Sequence, residues 1–212
     1  DLPRPRLAAD GDGGTSSLRV ALWADDAFSP VDTECVAMIQ EVARRLGAEG
    51  AHVDEWARPS LDVSAPVSRS GGSAFFEASH KAYGMKRLAM KPARCSEGLL
   101  HRDVQHMRMV RQRCKEAWGR FFEQGGFDVL LCPVSPTTAI PHDHSGSPED
   151  WPVLDGETER MVEVNGVATP YWRQNRWLGL ISFADLPSTV VPIGRDSRGL
   201  PCGVQIVGAA YQ

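Results

Sequence analysis

The chain has 212 residues, of which 42% are hydrophobic and 24% charged, a balance that excludes wholesale disorder. The net charge of −4 argues against a nucleic-acid binder that works by neutralising phosphates, and no apolar run reaches the length of a membrane span. Cys35, Cys95, Cys114, Cys132 and Cys202 are odd in number and form no CxxC, so a disulfide scaffold or zinc finger is disfavoured. They read as reduced, mostly buried thiols. With no signal-peptide pattern in view, the expected location is cytoplasmic.

Residues 1–17, polar and rich in Pro and Gly, read as a linker or tail, and the folded part is expected over 18–212. Leu18, Val20 and Leu22 alternate with Arg19, Ala21 and Trp23, a strand pattern. Asp32 is placed to cap a helix whose apolar stripe is Cys35, Met38, Ile39, Val42 and Leu46, with Gly47 as its expected stop. Residues 51–56 read as a second strand. Strand, helix and strand then make a βαβ unit over 18–56, which requires parallel pairing. Residues 57–72 read as loop and Ala74–Leu88 as a short helix.

A long helix is expected over 99–123. Leu100, Val104, Met107, Cys114, Trp118 and Phe121 lie on one face, Arg111 interrupts that face, and Gly125-Gly126 end the helix. FDVLLCP, residues 127–133, is too apolar to alternate and reads as a strand covered on both faces. Residues 133–152 read as a polar loop. Asn165-Gly166 between β-prone runs signals a hairpin. Residues 175–184 suit a helix stopped by Pro187, and strands follow at 188–193 and 202–207. The fold class is therefore α/β, a mixed β-sheet flanked by helices.

Few residue groups suggest chemistry by themselves. His142-Asp143-His144 has metal-ligand types, but adjacent loop residues rarely converge on one ion, so a solvated loop is the better reading. Arg102, Arg108, Arg111, Arg113, Lys115 and Arg120 outnumber Asp103 and Glu116 on the long helix. A face that is solvated or paired with acids from elsewhere explains this better than a phosphate site. Ser70-Gly71-Gly72-Ser73 with Lys81 superficially resembles a serine–lysine pair, yet no strand leads into it and a flexible connection is favoured. Cys132, at the end of an apolar strand, reads as a core thiol. The chain has no GxSxG, GxGxxG or P-loop.

The C-terminal stretch carries a resemblance. Leu186-Pro187, Val191-Pro192-Ile193-Gly194, Gly199-Leu200-Pro201, Gly203, Gln205-Ile206 and Gly208 reproduce the pattern that ends amidase-signature family enzymes. The Asp128–Pro133 strand with its Val134–Pro141 loop, and LRVALWADDAFSPVD near the start, are similar to the same family. The resemblance covers roughly residues 18–212 and implies the C-terminal portion of the amidase-signature fold.

The resemblance implies an amidase-type hydrolase that converts a carboxamide to a carboxylate plus ammonia or an amine. Family members use a nucleophilic serine, a bridging serine and a lysine, with oxyanion donors from a Gly/Ser-rich stretch; that stretch and its lysine are expected to lie N-terminal to the residues of this chain. No catalytic residue, metal ligand or cofactor is therefore expected here. The expected role is sheet core plus substrate pocket. Val134, Ser135 and Pro136 would form one wall, since ligands in open α/β sheets bind beyond strand ends, and Asn175 and Trp177 another. Expected partners are a small-molecule amide and the missing N-terminal half or a second copy, with no nucleic acid and no membrane. A non-catalytic binding module on the same scaffold is the alternative. The sequence departs from the family at Asp185, where a small residue is usual, and at Arg173 and Arg176, where acidic or apolar residues are common.

Overall fold

The computed structural model describes residues 18–61, 101–142 and 161–210. Ser70, Ser73, Lys81, Cys95, Asp143, His144, the proposed 1–17 linker and the proposed 74–88 helix lie outside the described residues.

The α/β expectation holds. Strand β1 (Arg19–Leu22) runs parallel to β2 (His52–Asp54) on one side and to β3 (Val129–Pro133) on the other. Strand β7 (Pro201–Gly208) joins β3 antiparallel, and β6 (Ser188–Arg195) is the outermost strand among the described residues, giving the order β2-β1-β3-β7-β6. Both faces of β1 and β3 are covered: Val20, Ala21 and Leu22 are all buried, so β1 does not bury one side only as its alternation suggested, and Leu130, Leu131, Cys132 and Pro133 are buried as the apolar run of β3 predicts.

Helix α1 (Thr33–Ala48) covers one face. Ile39 and Ala43 pack with Val20, Leu22, Leu131 and Val204. Asp32 caps it as expected, accepting from Glu34 N at 3.0 Å. The stop is Gly50 rather than Gly47. Gly50 takes φ +98°, and Ala51 N donates back to Leu46 O, the paired bonds of a Schellman ending. Gly47 stays inside the helix.

The other face is covered by α2 (His101–Gly125) and α3 (Arg176–Phe183). Cys114, Trp118, Phe121, Trp177, Leu180 and Ile181 pack on Ala21, Leu130, Cys132 and Val207. Gly126 at φ +65° ends α2. A 3₁₀ turn, Tyr171–Asn175, leads into α3 and is not visible in the periodicity. The stop of α3 also differs from expectation. Asp185 at φ +56°, not Pro187, reverses the chain, with Leu186 N donating to Ile181 O and Asp185 N to Ser182 O.

The predicted hairpin forms as β4 (Met161–Val164) and β5 (Val167–Pro170), with Asn165 and Gly166 both at positive φ as a type I′ turn requires. Asn165 also ties the hairpin to the start of α1, accepting from Thr33 N at 3.0 Å and donating to Val31 O at 2.9 Å.

Candidate functional site

Strands β1 and β3 run in the same direction, so the loops that follow them leave the sheet at the same end. The two loops are tied there by Asp32 N donating to Pro136 O at 2.8 Å. Loop backbone at the carboxyl end of parallel strands is where open α/β sheets bind ligands.

The 134–138 loop meets the 3₁₀ turn before α3. Ser135 Oγ donates to Gln174 Oε1 at 2.7 Å and Thr137 Oγ1 to the same oxygen at 3.1 Å. Gln174 Nε2 is buried and makes no hydrogen bond. A donor held dry and unused in this way invites an acceptor. Thr138 turns the other way and donates to Asp196 at 2.8 Å.

Arg176 is only 7% exposed. One of its terminal nitrogens donates to the Phe28 carbonyl. Burial, reinforced by the like charge of Arg173, pulls its guanidinium down to about 10. Arg173 lies one 3₁₀ turn earlier, its carbonyl accepting from Arg176 N.

The expected pocket residues fall into different environments. Val134 and Ser135 are half-buried, Pro136 is buried, and Asn175 is exposed. Trp177 is 1% exposed. Its ring meets Trp23 edge-on at 5.1 Å and Phe28 at 4.9 Å, and its Nε1 donates to Ser29 O at 3.0 Å. Ser135 and the residue before Asn175 are thus brought into contact, while Trp177 is buried against Trp23, Phe28 and Ser29. Sequence reasoning missed Thr137 and Gln174. Arg173 and Arg176 stood out only as departures from a family pattern.

No nucleophile emerges from the described thiols. Burial pushes Cys35 up to about 12, with the Cys202 thiol alongside, and Cys114 up to about 12. Cys132 is raised by burial alone. Such thiols stay protonated and inert at neutral pH. No cluster of three metal-ligand residues exists among the described residues. None of their helices is long and apolar enough to cross a membrane.

Comparison with known proteins adds the lineage. The chain is similar to a glutamyl-tRNA(Gln) amidotransferase subunit from Thermosynechococcus vestitus, 36% identical over 104 residues, which is 49% of this chain and 17% of that protein. It aligns along 100% of its length with the corresponding protein of Synechococcus sp. at 23% identity, spanning 46% of that protein. Among solved structures it shares a fold with a bacterial aryl acylamidase of the amidase-signature enzymes. The TM-score is 0.59 at 21% identity, covering 92% of this chain and 40% of that one. The chain therefore spans about half the length of the longest-aligned of these relatives. With the Amidase family model matching residues 2–212, this chain belongs to the amidase family.

Proposed function

We propose that this chain is the C-terminal part, over residues 18–212, of an amidase-type hydrolase domain, the preceding 1–17 serving as linker. It supplies sheet core and one side of the substrate pocket for carboxamide hydrolysis. Water is consumed, the C–N bond breaks, and a carboxylate and ammonia or an amine are released. The loop residues Val134, Ser135 and Pro136 form a wall at the carboxyl end of β3. Asn175 stands at its rim, and Trp177 backs the wall from the core.

The observation that carries this reading is the family match along the chain, set against the 46% of a relative's length that the chain spans. One physical feature agrees with it. Strand β6 is an eight-residue edge rich in β-branched residues, with Val190 51% exposed, as suits a strand that another part of the domain would cover.

The nucleophilic serine, its bridging serine and the lysine belong, on this reading, to the N-terminal part. The purified chain should then show no turnover of simple aryl or aliphatic amides and no labelling by a fluorophosphonate probe. Mixing it with the N-terminal part of an amidase-family domain should restore both. Labelling of the chain alone that disappears in Ser73→Ala would overturn the proposal.

A further inference from the structure

We infer that Cys35, Met38 and Cys202 form a three-sulfur site for a soft monovalent metal ion, and that Cu(I) is the ion their chemistry fits. The inference owes nothing to the amidase reading, and either can fail without the other.

The three sulfurs are brought together by α1 and the strands beneath it. Cys35 and Met38 are three residues apart on α1 and so share one face of the helix. Cys202 lies near the start of β7, on the same side as Val204 and Ile206, which pack in the cluster that contains Ile39 and Ala43 of α1. Cys35 and Cys202 are both buried, and their thiols hydrogen-bond to each other. Gly194 of β6 brings in the thioether. It pairs with Cys202 across the β6–β7 ladder, and residues directly opposite in such a ladder carry their Cβ atoms on one face, about 4.5–5.5 Å apart. A Cβ on Gly194 would stand only 3.0 Å from Met38 Sδ. The methionine sulfur therefore occupies the space that a side chain at 194 would take, next to the Cys202 thiol. The described His, Cys, Asp and Glu residues form no group of three, and it is the methionine that completes this set.

The donor chemistry selects the ion. Thiolate and thioether sulfurs suit Cu(I), whereas zinc asks for a fourth ligand and hard cations for oxygen. Backbone groups of Thr138 and Gly203 hydrogen-bond to the Cys35 and Cys202 sulfurs respectively and favour their thiolates. The Asp32 carboxylate opposes negative charge on both sulfurs, a field that a cation relieves. Burial keeps the thiols protonated, so an ion must bind sulfur strongly to displace both protons at neutral pH. Cu(I) does so with no change of oxidation state. Two S–H bonds break, two Cu–S bonds form, both protons go to solvent, and Met38 donates a sulfur lone pair. The filled site cross-links α1 to β7 at the end of the sheet where Asp32 N bonds to Pro136 O and Thr138 to Asp196.

The test is anaerobic titration of the reduced chain with the Cu(I)–bicinchoninate complex, whose loss of colour reports transfer. A Cys95→Ser background removes the thiol that lies outside the described residues. One equivalent should transfer, with a copper–thiolate charge-transfer band and sulfur as the only neighbour in X-ray absorption. Cys35→Ala and Cys202→Ala should each weaken binding by more than about 100-fold, beyond what losing an outer-shell partner costs. Met38→Leu, which keeps the side-chain volume, and Gly194→Ala, which displaces Sδ, should each weaken it by about tenfold. Thermal unfolding separates folding from binding. The metal-free Met38→Leu chain should unfold close to its parent, and saturating Cu(I) should raise the midpoint of the parent more than that of any variant. No transfer, transfer that survives the double Cys35→Ala/Cys202→Ala change, or equal binding by Met38→Leu and its parent would overturn the three-sulfur site. Zn(II) retained against equimolar Cu(I) would overturn the choice of ion.

Discussion

Arg111 of α2 closes the end of α3 through Asp185. Its Nε donates to the Phe183 carbonyl at 2.8 Å, and a terminal nitrogen pairs with the Asp185 carboxylate. Lys115, one turn along α2, reaches the same carboxylate at 2.6 Å. Asp185 occupies the left-handed position that glycine usually fills, and the contrast with Gly50 at the end of α1 is instructive. Both helices finish with the same Schellman bonds. One meets the backbone requirement with a residue that has no Cβ, and the other holds an aspartate there with two cations from a neighbouring helix. Arg111 interrupts the apolar stripe of α2 because it serves α3.

Removing that tie should be measurable. Arg111→Met leaves the Phe183 carbonyl without its donor and the carboxylate with Lys115 alone, a loss on the order of 1 kcal/mol. In an Asp185→Gly background the helix end no longer depends on the ion pair, and the same change should cost less. Urea unfolding of the four proteins in this double-mutant cycle checks the coupling. Fully additive losses would mean that Arg111 acts only through the Phe183 carbonyl.

Trp177→Ala should act chiefly on stability. The ring is packed against Trp23 and Phe28 and hydrogen-bonded to Ser29, so its removal leaves a cavity and an unpaired carbonyl. A loss of roughly 3–5 kcal/mol is expected. Ser135→Ala, at the half-buried wall, should change stability by about 1 kcal/mol or less. Thermal unfolding separates the two. A Trp177 variant that is fully stable but altered in substrate preference would move this residue from the core into the pocket.

Local chemistry explains what the sequence makes legible. Asp32 as a cap, Asn165-Gly166 as a hairpin turn, and the unbroken apolar run of β3 each depend on neighbouring residues alone, and each is readable without the fold. The helix stops differ from expectation because Gly47 and Pro187 are generic breakers. Which residue adopts positive φ depends on the return path of the chain, and for Asp185 on cations contributed by α2. The 3₁₀ turn at Tyr171–Asn175 is too short to show a period. The site itself is least legible: Ser135 meets Gln174 across 39 residues of sequence, a contact made only by folding.

The described cysteines should resist alkylation in the native chain. Cys35 and Cys114 are pushed up to about 12, and Cys132 and Cys202 are raised as well, burial leading in every case. The thiolate fraction at pH 8 is then negligible. Treatment with iodoacetamide followed by peptide mass mapping should leave these four unmodified until denaturant is added. Rapid native modification of Cys35 or Cys202 would mean that the sheet end near Thr138 opens readily.

Asp196 sets an acid limit on the turn that joins β6 to β7. Burial by itself would raise this carboxyl. Thr138 Oγ1, Leu200 N, and the Arg198 side chain and backbone N–H all donate to it, and together they hold it at about 2. An unfolded aspartate titrates near ~3.9, so the folded form binds its proton less readily than the unfolded form. The stability contributed by Asp196 is therefore complete above about pH 4 and is lost as pH falls from there toward about 2. Asp196→Asn should lower stability at neutral pH, because the charge-assisted bonds to Arg198 are lost, and should flatten the decline between about pH 4 and 2. Unfolding midpoints measured in urea across that range, for both proteins, give the comparison. Parallel pH curves would show that other carboxylates carry the acid sensitivity, and that Asp196 shapes the turn through its hydrogen-bond geometry rather than its charge.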